Sequence, residues 1–208
     1  MANRWPRVGV LIALVLPLNA CIMIPGPGEI RGLSGSDGVQ VSPVPVALAL
    51  RAQVFEDGIH ARAEEYGEEY VHRRVLHATL LRAGILGKAA PKPSADTLNL
   101  LVEVEEDRTG PRGLRVLSTV TLRVIPNWTT VHYRVRARGM YRGRPIPAFE
   151  YENTATRIEN LLLFPAAPFV TPQSARARIR GEAMRALAVH LSHALAGGAP
   201  SGPGGGGR

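Results

Sequence analysis

Residues 130–139 alternate more strictly than any other stretch of this 208-residue chain. Val131, Tyr133, Val135 and Ala137 fall on one side, and His132, Arg134, Arg136 and Arg138 on the other. A period of two belongs to a β-strand with one buried and one solvated face, so the chain must build a sheet covered on one side only. Its partners follow the same rule. Thr97 to Glu105 places Leu98, Leu100, Val102 and Val104 on one face, and Leu114 to Ile125 alternates well enough to read as a strand. Asp107 to Gly113 reads as the turn between them, around Thr109-Gly110-Pro111. Val39 to Leu50 reads as an earlier strand whose first half is pushed to an edge by Pro43 and Pro45. After a turn at Gly139 to Pro147, a last strand contains Phe149 and Tyr151.

What covers the sheet is helical. From Asp57 to Leu81, Tyr66, Tyr70, Val75, Leu76, Leu80 and Leu81 recur at helical intervals, with Glu64, Glu65, Glu68 and Glu69 leading and Arg73 and Arg74 following. That order of charge suits the helix dipole, and Gly84 ends the element. Thr171-Pro172 reads as an N-cap with proline at the first helical position, opening a second helix over Ala175 to Ala196. Between sheet and second helix, Pro165 and Pro168 interrupt Leu161 to Phe169; we read it as a segment buried on the sheet, the alternative being an exposed lip for a partner or acyl chains. Strand, helix, a run of strands, then helix predicts an α+β fold: a mostly antiparallel sheet of about five strands with two helices packed on one face.

The amino terminus says where such a domain goes. Arg4 and Arg7 give a basic start, and Val8 to Leu16 is an apolar run too short to span a bilayer permanently. Leu18-Asn19-Ala20-Cys21 follows, and Cys21 is the single cysteine of the chain. The segment reads as a secretory signal, and its ending resembles the lipobox of bacterial lipoprotein signals. The resemblance implies removal of residues 1–20, a diacylglyceryl thioether on Cys21 and further acylation, for instance by palmitate, of the new amino terminus. One acyl chain holds a protein only marginally, whereas two or more anchor it stably. Ile22 stands where an aspartate implies inner-membrane retention, so the implied address is the outer membrane, on its periplasmic face. Residues 21–38 then form a lipidated flexible tether spanning roughly 23 Å. Residues 39–196 form a single periplasmic domain, and 197–208 a disordered Gly/Pro-rich tail. With one cysteine no intramolecular disulfide is available.

The formal charge is +8, and two of those charges leave with the signal. Such a balance suits a polyanion such as anionic lipid or glycan, although only Lys88 and Lys92 are lysines and an Arg-, Ala-, Gly- and Pro-rich composition is how a GC-rich coding sequence looks. An exported chain is not expected to meet nucleic acid. The row Arg134, Arg136 and Arg138 is the best binding candidate besides Cys21. Alternate arginines lie about 7 Å apart on one face, a spacing suited to successive phosphates or carboxylates. The plainer reading is a solvated face, or one covered by acidic residues.

Little here points to chemistry. His190 and His193 are three apart on a helix without a neighbouring Cys, Asp or Glu, so no metal site or cofactor is expected. Glu64, Glu65, Glu68 and Glu69 could supply paired carboxylates for glycoside hydrolysis, but such pairs converge from different elements. Finally, Ser118-x-x-Thr121-Leu122-x-x-Ile125-Pro126-x-Trp128, Tyr133-x-Val135-x-Ala137, Tyr151 and Leu161-Leu162-Leu163-Phe164 are similar to sequences of small envelope lipoproteins of Gram-negative bacteria. This resemblance covers about half the chain and implies a non-enzymatic accessory or adapter for an envelope component. Other readings are a periplasmic lipid or small-ligand carrier and, last, a periplasmic hydrolase.

Overall fold

The computed structural model describes residues 21–31, 39–89, 96–160 and 171–197. In chain order the elements are β1 (Cys21–Pro25), β2 (Glu29–Arg31), β3 (Val44–Glu56), β4 (Ile59–His60), α1 (Arg62–Arg82), β5 (Leu86–Ala89), β6 (Leu98–Thr109), α2 (Arg112–Val120), β7 (Asn127–Tyr141), β8 (Arg144–Glu159) and α3 (Pro172–Leu195). The strands make one 8-stranded sheet in the order β1-β8-β7-β6-β3-β4, with β2 also on β8 and β5 on β3. The α+β expectation holds; the described residues form more strands and one more helix than expected. Most pairs are antiparallel, but β3 runs parallel to both β6 and β5. A parallel pair cannot be closed by a tight turn, and α1 supplies the crossover between β3 and β6.

Leu98, Leu100, Val102 and Val104 of β6 are buried with Val131, Tyr133, Val135 and Ala137 of β7 and Phe149 and Tyr151 of β8. Across from them lie Leu76 and Leu80 of α1 and Ile179, Met184, Leu187 and Leu191 of α3. Burying each such side chain contributes about 1.5–3 kcal/mol. Thr171 caps α3 by accepting from the Ser174 amide at 3.1 Å, with Pro172 at N1, as its sequence predicts.

Four expectations need correction. Asp57 does not open a helix: Asp57 and Gly58 both take positive φ (51° and 77°) and turn β3 into β4. Asp-Gly supplies the two left-handed residues that a tight hairpin requires, and α1 starts at Arg62. Second, the expected turn from Gly139 to Pro147 is mostly strand: β7 runs on to Tyr141 and β8 starts at Arg144, with Pro145 and Pro147 inside it. Among the described residues that end of β8 is paired with β7 alone, and proline is tolerated on such an edge because no ladder bond on its other side is lost. Third, Leu114 to Ile125 is not a strand; residues 112–120 are α2.

The fourth concerns the tether. Residues 21–25 pair with β8 over Cys21↔Glu159 to Pro25↔Ala155, and 29–31 pair with Glu152 to Glu150. Met23 is 1% exposed, so β1 is fastened into the core as well as hydrogen-bonded to the edge. Gly26 donates to the Thr154 carbonyl at 2.8 Å, and a β-carbon at 26 would strike that oxygen. The glycine permits a close backbone approach, which a free coil would not require. Residues 1–20 of the expected signal, 32–38 of the expected tether, the Leu161–Phe169 segment and residues 198–208 of the tail lie outside the described residues.

Candidate functional site

Cys21 is the first residue of β1 and stands at one end, or pole, of the sheet. The same pole carries the end of β8 at Glu159, the start of β7 at Asn127 and, through α2, the passage from β6 to β7. The Cys21 sulfur is half-buried and accepts from Arg157 Nε at 3.1 Å. Arg157 also meets Glu159 at 2.5 Å, so the sulfur sits beside a neutralised ion pair. Outward from this row, Ile22 and Trp128 flank Ile158 on the opposite face of the sheet.

The connection from Arg112 to Pro126 lies across the pole. On one side Arg115 reaches Glu56 at 2.9 Å and Asp57 at 3.4 Å; on the other, Arg123 reaches Glu159 at 3.8 Å and Asn160 donates to the Val124 carbonyl at 3.3 Å. Its last turn has the double closure of a Schellman motif: the Arg123 amide donates to the Ser118 carbonyl at 2.6 Å and the Leu122 amide to the Thr119 carbonyl at 3.2 Å. The end of α1 is built the same way, with Ile85 donating to Leu80 at 3.0 Å and Gly84 to Leu81 at 3.1 Å. Gly84 takes the left-handed position there at φ 69°; after α2 that position is held by Leu122 at φ 50°, followed by Arg123 at 63°. Left-handed geometry costs a side-chain-bearing residue about 1–2 kcal/mol.

The arginine row lies on one face of β7, as the alternation requires, and it is not bare. Arg134 bonds Glu152 at 2.7 Å and approaches Glu105 at 3.8 Å; Arg136 bonds Glu150 at 3.0 Å. Arg136 also stands opposite Glu103 in the register with β6. The row is thus interleaved with acidic residues from β6 and β8, two strands whose carboxylates share its face. Two shallow depressions on this face, of ≈ 220 and ≈ 210 Å³, are lined by both signs of charge. Arg138 is exposed beside Leu101.

The four glutamates of α1 are each engaged. Glu64 bonds Arg108 at 2.7 Å, Glu65 pairs with His60, Glu68 bonds Arg180 at 2.6 Å, and Glu69 bonds Arg73 at 2.8 Å. Beneath Glu68, His72 is buried and its Nδ1 donates to the Glu68 carbonyl at 2.7 Å. Its Nε2 faces the Tyr133 hydroxyl at 2.6 Å and Arg180 Nε at 3.3 Å. A carbonyl only accepts and a guanidinium only donates, so these partners fit the neutral ring. Burial, reinforced by the Arg180 charge, lowers its pKa from 6.5 to about 4. The carbonyl of Pro147 lies 2.8 Å from His190 Nε2, and the ring packs near Phe149. Among the described residues no cluster of three or more His, Cys, Asp or Glu could hold a metal ion.

At the opposite pole, Val41, Pro43, Ala83, Ala188 and Val189, with Arg82 and Arg185, line an open groove of ≈ 820 Å³ between the ends of α1 and α3. No described helix is long and apolar enough to cross a membrane.

No protein-family model matches the chain, and no curated protein matches it. Among solved structures, a PelC dodecamer from Paraburkholderia phytofirmans is similar at 15% identity and a TM-score of 0.37, covering 78% of this chain and 98% of that one. At that TM-score the likeness bears on neither fold nor function.

Proposed function

We propose that this chain is a lipid-anchored envelope protein, held by Cys21 to the periplasmic face of the outer membrane. In this reading it acts as a non-enzymatic accessory or adapter, with the helix-backed sheet meeting an envelope protein or an anionic glycan or lipid. One observation carries it: the sole cysteine, at the end of a lipobox-like signal, is the first residue of an edge strand at the rim of the sheet. A chain processed before Cys21 keeps every described strand, and the acyl chains leave from the rim.

A second reading, a carrier for lipid or a small ligand, is favoured by the groove at the opposite pole, where Val41, Pro43, Ala188 and Val189 stand beside Arg82 and Arg185. An acyl chain with an anionic head fits that chemistry.

Metabolic labelling with a fatty-acid analogue, combined with in-cell cross-linking, tests the first reading. Wild type is expected to take the label and to cross-link to specific envelope neighbours, and Cys21→Ala to lose both. An unlabelled wild type found free in the periplasm would remove the anchor from the account.

A further inference from the structure

α2 is built inside out. Val116, Leu117 and Val120 are 66%, 44% and 75% exposed, whereas Ser118, on the other side of the helix, is buried with its hydroxyl unpartnered among the described residues. Positions 116, 117 and 120 share one helical face, so a complete apolar stripe points away from the body. The turn that follows continues it: Leu122 is 73% exposed and Val124 55%. Leu122 is also the side chain held in left-handed geometry where the otherwise identical end of α1 uses glycine. The fold retains a strained leucine whose side chain touches little of the protein, so its use lies outside the protein.

The stripe lies at the pole where Cys21 begins the sheet, fixed on both sides by the Arg115 and Arg123 ion pairs. Trp128, 45% exposed and two residues past the connection, carries it onto the outer face. We propose that α2 and the turn after it are a second membrane contact, an apolar foot resting in the phospholipid leaflet that receives the Cys21 acyl chains. The inference rests on the lipid-anchored reading of Cys21. The occupant is a leaflet because Cys21, from which the acyl chains depart in that reading, pairs with Glu159, the same residue that Arg123 of the connection reaches, so the anchor and the stripe are on one side of the molecule. At nine residues, about 13 Å, α2 is too short to cross a bilayer and long enough to lie in its interface. Exposed tryptophan at the rim is the residue expected at headgroup depth.

The sequence supplies its own probe. Trp5 leaves with the signal, which makes Trp128 the single tryptophan of the processed protein. The lipidated protein is reconstituted into phosphatidylethanolamine/phosphatidylglycerol vesicles containing lipid spin-labelled just below the headgroup, and Trp128 fluorescence is read. Strong quenching is expected. Val120→Asp should weaken the foot's contact about tenfold and reduce quenching while the acyl label stays. Leu122→Gly relieves the backbone strain, so its expected loss of quenching cannot be assigned to misfolding. Labelled protein with an unquenched Trp128 overturns the foot and leaves the anchor standing. Unlabelled protein removes the anchor and the foot with it. An unquenched wild type that Val120→Asp converts from dimer to monomer also overturns it, assigning the stripe to a second copy of the chain.

Discussion

The ring of His72, on α1, and the hydroxyl of Tyr133, on β7, meet at 2.6 Å in the layer between helix and sheet. Both groups are buried, and burial also raises the Tyr133 pKa. Tyr133→Phe leaves His72 Nε2 with Arg180 alone and is expected to cost about 1–2 kcal/mol in urea unfolding at pH 7.5. The ring of phenylalanine fills the same space, so the change in midpoint reads the hydroxyl.

The same histidine makes stability depend on pH. Its pKa is about 4 in the folded chain against 6.5 unfolded, so between those values the unfolded state binds more protons. The contribution is complete above pH 6.5 and is lost as pH falls toward 4, by up to about 3 kcal/mol. Unfolding free energies at pH 7.5, 5.5 and 4.5 should fall in that order for wild type. His72→Gln should flatten this fall; an unchanged slope would sink the assignment to His72.

Leu122→Gly should stabilise the protein by about 1 kcal/mol, because glycine takes the left-handed position after α2 without steric cost. A raised midpoint in thermal unfolding checks it. Gly84→Leu, at the equivalent place after α1, should move the midpoint down.

Arg134 and Glu152 are partly exposed, at 39% and 28%. A double-mutant cycle with Arg134→Ala and Glu152→Ala is expected to give a coupling below about 1 kcal/mol, shrinking with added salt. A coupling that survives molar salt would show the outer face to be far less solvated than its exposure implies.

Met23→Ala should detach β1 selectively. The side chain is the one residue of β1 in the core, and its loss opens a cavity worth about 2–5 kcal/mol if the fold does not relax. Hydrogen exchange is expected to accelerate at the β1 amides while Val102 and Val135, at the sheet centre, keep their protection.

Strict alternation over residues 98–104 and 131–137 made β6 and β7 legible, because each has one face in the core. The arginine row was legible for the same reason. Its neutralisation was not, since that depends on which carboxylates of β6 and β8 the register sets beside it. α2 was not legible because nine residues make only about two and a half helical turns, and its apolar stripe faces outward, where no burial logic applies. β1 and β2 were hidden by the prolines and glycines around them, which signal a linker unless an edge strand is waiting to be paired. The placement of Cys21 at a strand end was beyond any local pattern: its partner is Glu159.

That pairing has a consequence for the order of folding. β1 is the first described segment to be synthesised, yet it can settle only on β8, whose residues 155–159 come more than a hundred positions later. Closing so long a loop is slow compared with forming the β7–β8 hairpin, so the β8 edge stands open while β1 waits. During that interval the nascent domain offers an unpaired strand to any neighbour. If Cys21 is the anchored residue, as proposed, holding the chain there would keep β1 near its own domain and thin out the competitors.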